Sequence, residues 1–329
     1  MTLFLLCLLI CCMQDAVPQR ISHYVYFNLD RERIRSESFL NAEGLVGAQL
    51  KYTWRELEPA KGVYDFDALE QDLNFLTRHG KKLFVQLQDV TFDTSRVNVP
   101  DYLLKDPEYN GGADLQFEID EKGQIVPEGW VARRWDVKVR ERFFALLKAL
   151  GDRFDGKIEG INLPETALDF GDDPAKFPEG FTTDAYRDAV IATMRALKKA
   201  FPTSVTIQYS NFMPGEWLLP DDESYLRDIY RAAVDLGVGL GGPDLLPWKK
   251  GQMDNGYRFI KMCRGKIPSG IAVQWGNYDY INPRTRNRVT LRELISFADE
   301  YLGVQYVFWS TQEPYYSRDV LPHFAVQKR

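Results

Sequence analysis

I-E-G-I-N-L-P-E-T-A, residues Ile158 to Ala167, follows a long amphipathic run (Trp135 to Phe154) and a glycine stop at Gly156. Its first half alternates apolar residues, the pattern of a short buried strand. Pro164 then breaks the pattern, because proline cannot donate to a sheet ladder. Asn162 and Glu165 sit at the break. A carboxylate where a strand runs out into a loop, after a helix and before another, is the signature position of chemistry in an α/β barrel. A surface glutamate on an ordinary loop is the competing reading.

Working outward, the same strand-then-helix unit repeats eight times. The strand readings are His23–Asn28, Leu45–Lys51, Lys82–Gln88, Ile158–Asn162, Val205–Tyr209, the glycine-rich Val238–Gly241, Ile271–Gln274 and Gln305–Trp309. Between them lie helical runs at 33–42, 65–78, 135–154, 182–201 (with Thr182 or Thr183 as N-cap), 223–236, 255–264 and 290–302, and a last one at 318–326. Strands alternating with helices imply parallel pairing with right-handed crossovers. Eight units predict a single (β/α)8 (TIM) barrel of the α/β class. An open doubly wound sheet is disfavoured, since no glycine-rich phosphate turn follows strand one. A polar segment from Asp89 to Arg134, rich in Asp, Gly and Pro, predicts a long lid or binding loop after strand three.

With 329 residues, the chain suits one barrel of about 250 residues with insertions. The domain reading is a signal peptide over 1–18 and the barrel over 19–329. Leu3 to Met13 is apolar but too short to span a membrane, which fits the core of a signal peptide. The expected location is therefore secreted or periplasmic, with an uncleaved N-terminal anchor as the alternative. Cys7, Cys11 and Cys12 lie in this leader, leaving Cys263 alone in the body, so neither a disulfide nor a zinc cage is expected. His23, His79 and His323 lack metal-ligand spacing, so no metal or other cofactor is expected. A net charge of −6 without a basic run argues against nucleic acid as a partner.

In a barrel the strand C-termini share one face. Collected there are Lys51, Tyr52 and Trp54; Gln86, Gln88 and Asp89; Asn162 and Glu165; Tyr209 and Asn211; Asp244, with Trp248 further on; Gln274 and Trp275; and Trp309, Gln312 and Glu313. Amides and carboxylates hydrogen-bond hydroxyls, and indole faces pack on sugar C–H faces. No thiol or imidazole is gathered for acyl chemistry. An oligo- or polysaccharide is the substrate class that these side chains suit.

The segment K-Y-T-W-R-E-L-E-P-A-K-G-V-Y-D-F (Lys51 to Phe66) is similar to the Trp…Glu-Pro…Gly…Tyr-Asp-Phe stretch of β-galactosidase-like members of the retaining (β/α)8 glycoside hydrolase clan, which includes cellulase-like relatives. The local role of that stretch is a turn shaped by Pro59 and Gly62, with Asp65 capping the next helix. The resemblance implies an acid/base glutamate ending strand four beside an asparagine, which Glu165 and Asn162 resemble, although Leu163 and Pro164 intervene. It implies a tryptophan beneath the reacting sugar at the end of strand eight, which Trp309 resembles. It also implies a nucleophilic glutamate ending strand seven, where this chain reads A-V-Q-W-G and has Gln274 instead.

An amide cannot serve as nucleophile, so three explanations stay open. In the first another carboxylate acts, Glu313 before Asp244; in the second a Glu→Gln change has disabled turnover; in the third the barrel binds saccharide or a partner protein without cleaving anything. The first is preferred, which makes Glu165 and Glu313 the catalytic pair of an exported glycosidase. Asn162, Gln274, Trp275, Trp309, Tyr52, Gln86, Gln88, Tyr209, Asn211 and Asp244 are the expected substrate contacts.

Overall fold

The computed structural model describes residues 21–119, 122–171, 176–217 and 222–325. The proposed leader, the end of the last predicted helix at Val326 and three short internal segments lie outside them. Ten strands follow in chain order: β1 (Ser22–Asn28), β2 (Leu45–Thr53), β3 (Lys82–Gln88), β4 (Ala113–Ile119), β5 (Ile125–Ala132), β6 (Gly160–Leu163), β7 (Val205–Tyr209), β8 (Gly239–Gly242), β9 (Ser269–Val273) and β10 (Tyr306–Ser310). Eight of them pair in parallel and close in the order β1, β10, β9, β8, β7, β6, β3, β2. This is the (β/α)8 barrel that the alternating pattern predicts.

The remaining two strands form an antiparallel hairpin inside the segment expected to be an irregular loop. Its strands contain Pro127, Gly129 and several acidic residues, and this composition hides their period from a sequence reading. The hairpin is docked on the barrel. Thr91 N–H donates to the Trp130 carbonyl (2.7 Å), and Phe117 N–H donates to the Asp169 carbonyl (2.9 Å).

The helices form where apolar residues recur on one face. Val137–Phe154 buries Val139, Phe143, Leu146, Leu147, Leu150 and Phe154, a 3.6-residue stripe. Asp136 starts it by accepting from the backbone N–H groups of Lys138 (2.8 Å) and Val139 (3.1 Å). Thr182 is the N-cap of Thr183–Ala200. The helix expected over 255–264 is Gly256–Met262, and a separate short helix, Lys250–Asp254, precedes it. They break at Asn255, whose side chain donates to the carbonyls of Trp217 and Gly251. The Trp-Glu-Gly motif is a local clasp: Glu58, fully buried, accepts from Trp54 Nε1 and Gly62 N–H (2.9 Å each) and pairs with Arg142.

Alternate strand residues face the barrel axis. Tyr24, Phe84 and Phe308 fill its lower half, with ring centroids 4.9–6.0 Å apart. Room for these rings comes from inward-facing glycines on neighbouring strands. A Cβ at Gly160 would lie 2.6 Å from the Phe84 ring, and one at Gly241 would lie 2.2 Å from the Gly270 carbonyl and 3.0 Å from Tyr209. Above the rings lies a layer of amides: Gln49 Nε2 donates to Asn162 Oδ1 (2.9 Å) and to the Tyr209 hydroxyl (3.2 Å). Gly241→Ala is therefore expected to lower stability by about 1–3 kcal/mol or more through overpacking against backbone, read as a lower denaturant midpoint at unchanged slope.

Candidate active site

Glu165 stands just past the C-terminus of β6, where Pro164 ends the ladder. Three successive carbonyls of this turn are pinned by side chains. Gln208 donates to Pro164 O (2.6 Å), Arg134 to Glu165 O (3.1 Å) and Tyr186 to Thr166 O (3.2 Å). Arg134 is itself held by both oxygens of Asp89 (2.6 and 2.9 Å) and by the Tyr186 hydroxyl (2.9 Å). The carboxylate thus projects from a backbone with few alternatives. Its Oε2 accepts from Asn211 Nδ2 at 2.6 Å.

Burial pushes the Glu165 carboxyl up to about 7. The Asn211 hydrogen bond opposes this, the charges of Asp244 and Glu128 add to it, and Arg134 works against it. A carboxyl poised there is half protonated near neutrality, the condition for a general acid.

Asp244 follows β8 and is half-buried. Asn277 Nδ2 donates to its carboxylate (2.9 Å), and Tyr257 donates to its backbone carbonyl (2.8 Å). Burial raises its pKa too, with Asn277 and Lys249 pulling it back. Its charge, like that of Glu128, adds to the upward shift of the Glu165 carboxyl.

A cleft of about 590 Å³ opens over β1, β2, β3, β9 and β10, with Lys51, Gln88, Gln274, Trp275 and Ser310 in its lining; Glu165 and Asp244 are not in that lining, and Lys51, which feels the Glu165 charge, links the two. Trp275 is 72% exposed, a free indole face at the edge.

Several expected contacts lie elsewhere. Asn162, Tyr209 and Gln86 are inside the barrel, in the amide layer beneath the mouth rather than on the rim. Tyr52 and Trp309 occupy strand positions that face the helices. The Tyr52 hydroxyl donates to Asp72 (2.9 Å), and Trp309 Nε1 donates to His23 Nδ1 (3.2 Å), with Phe324 against its ring. Both are fully buried. Trp54 and Trp248 are packing residues, on Phe143 and on Phe297 and Tyr301. Glu313 is exposed and accepts from the Ser317 hydroxyl (2.7 Å) and N–H (3.2 Å), with Arg33 3.8 Å away.

Other site residues had no assigned role in the sequence reading. Lys51 is the second polar inward position in L-V-G-A-Q-L-K, after Gln49, and that alternation was its signal. Burial lowers its ammonium to about 8, partly offset by the Glu165 charge. Arg134 and Asn277 position the two acids and have no strand-end signature. Glu128, on β5, is likewise raised to about 7 by burial and by Glu118 and Asp169; only the hairpin brings it near Glu165.

No protein-family model matches the chain, and no curated protein matches it by sequence. Solved structures do match in fold. A polyextremophilic β-galactosidase from the Antarctic haloarchaeon Halorubrum lacusprofundi aligns with TM-score 0.53 and 12% identity, over 88% of this chain and 52% of that one. A family 39 glycoside hydrolase from the gut symbiont Bacteroides cellulosilyticus gives 0.49 and 13%, over 89% and 56%. The catalytic domain of a β-amylase from Paenibacillus polymyxa gives 0.47 and 14%, over 89% and 93%. The chain spans about half the length of the first two. What the β-galactosidase alignment shows is a shared fold, the TIM barrel.

A carboxyl whose folded pKa exceeds its unfolded value favours folding below the unfolded pKa, and that contribution is lost as pH rises through the folded one. For Glu165 the window runs from about 4.3 to about 7. Glu165→Gln removes it, so the variant should gain stability relative to wild type by roughly 1–3 kcal/mol between pH 5 and pH 8. Thermal melts of both chains across that range read the difference.

Proposed function

We propose that the protein is an exported glycosidase that cleaves O-glycosidic bonds of an oligo- or polysaccharide. The observation that carries this reading is the half-buried Glu165 carboxyl past the end of β6, poised near neutrality, hydrogen-bonded by Asn211 and under the charge of a second half-buried carboxylate, Asp244. Glu165 protonates the leaving oxygen. Asp244 then activates water, or attacks the anomeric carbon itself; the spacing of the pair selects between inversion and retention. Gln274 and Gln88 offer amides to ring hydroxyls, and Trp275 offers a stacking face. Glu313 remains the alternative second carboxylate, although its oxygens are engaged by Ser317. Export rests on the apolar leader at Leu3 to Met13; among the described residues no helix is long and apolar enough to cross a membrane.

A second reading is saccharide binding without cleavage. Gln274 favours it, since an amide stands where related barrels carry their nucleophile.

Glu165→Gln should reduce hydrolysis of a responsive polysaccharide by about a hundredfold or more, with binding retained, in a reducing-end assay paired with calorimetry. Unchanged turnover in that variant removes the assignment. Asp244→Asn should match its effect, while Glu313→Gln should not. Wild-type kcat/KM should fall as pH rises past about 7, where Glu165 loses its proton, and should fall on the acid side as Asp244 gains one. If the wild type is silent and Gln274→Glu confers activity, the chain is a disabled retaining enzyme.

A further inference from the structure

We propose that the cleft at the barrel mouth receives a uronate, a sugar whose ring carries a carboxylate, with the Lys51 ammonium as its counter-charge. This rests on the glycosidase reading and names its substrate class.

The case begins with the charges in the cleft lining. Three cations are there: Arg33, Lys51 and Arg96. Arg33 lies 3.9 Å from Asp30 and 3.8 Å from Glu313, and Arg96 lies 3.2 Å from Asp93. Both arginines are matched by acids of the cleft or its edge. Lys51 is not: among the described residues no carboxylate comes within 4.0 Å of its ammonium. Its nearest aromatic neighbour, Tyr26, has its ring centre 6.0 Å away. Glu165 acts on it only at a distance, and burial is the larger influence on it. A half-buried ammonium without a partner carries a desolvation cost that a bound anion would offset.

The surroundings of Lys51 are donors of the right kind. Ser310, 2% exposed and lining the same cleft, has a buried hydroxyl with no hydrogen-bond partner. Gln88 and Gln274 bring side-chain amides to the same lining. A carboxylate accepts at two oxygens, and an ammonium, a hydroxyl and amide N–H groups can all donate to it. A neutral sugar would leave the ammonium facing only hydroxyls. The residue has no structural task that would explain its charge: its side chain spans no strand pair and closes no ion pair, and Gln49 already fills the amide layer one inward position below.

The test uses calorimetry on the wild-type chain with matched probes: oligogalacturonate, oligoglucuronate and oligomannuronate, each beside its carboxyl-reduced neutral counterpart, and a neutral oligosaccharide bearing one sulfate ester. At least one uronate should bind about tenfold or more tightly than its reduced form, the size of a lost charge-assisted hydrogen bond. Lys51→Met should abolish that preference by weakening the uronate about tenfold more than the neutral form, and Lys51→Arg should keep most of it. The wild-type comparison stands even if the Met variant fails to fold. Equal binding of charged and reduced forms, a gain only with the sulfate ester, or equal weakening of both forms in Lys51→Met overturns the proposal. Hydrolysis of neutral substrates without a uronate preference removes this inference and leaves the glycosidase reading in place. If no saccharide binds at all, both fall.

Discussion

In a closed barrel each strand turns its residues alternately to the axis and to the helix layer, and the placement of each strand residue at this mouth follows from that two-residue period. On β2 it sends Gln49 and Lys51 inward and Tyr52 outward to Asp72. On β10 it sends Phe308 and Ser310 inward and Trp309 outward to His23. The axis is then filled in layers. Aromatic rings opposite glycines form the base, amides form the middle, and ionisable groups form the rim. The closely packed base excludes solvent from below, so groups at the rim meet water from one side only.

That one-sided solvation explains the electrostatics. Glu165, Asp244 and Lys51 all shift first because of burial, each towards its neutral form. The Glu165 charge reaches the Lys51 ammonium, although the two form no ion pair within 4.0 Å. The backbone under Glu165 explains how it can hold that position. With the carbonyls of Pro164, Glu165 and Thr166 each pinned, the acid does not need its own oxygens for anchorage, and among the described residues Asn211 alone hydrogen-bonds them. Asn277 does the same for Asp244 from the next loop round the rim.

Much of this was legible in order along the chain. The strand positions, Glu165 past β6 and Asn211 past β7 all follow from apolar period and proline placement. The rim partners were harder to read. Trp309 and Tyr52 looked like cleft aromatics because strand ends were read without their phase, and a shift of one residue moves a side chain to the opposite face. The hairpin was hidden because its strands are polar and carry Pro127 and Gly129. With it went Glu128, whose influence on Glu165 crosses between elements far apart in the chain. Arg134 looked like the end of a loop, and only its contacts with Asp89 and Tyr186 reveal a clamp.

By itself, then, the sequence determined the barrel and the location of one acid, since both depend on local periodicity and on where a ladder must stop. Which carboxylates add their charge to that acid, which cleft cation has no carboxylate within 4.0 Å among the described residues and which rings line the cleft were decided only by the tertiary structure. Closure sets strand phase and brings Lys51 and Asp244, from two other strands, within electrostatic reach of Glu165, and no local propensity encodes a distance between them.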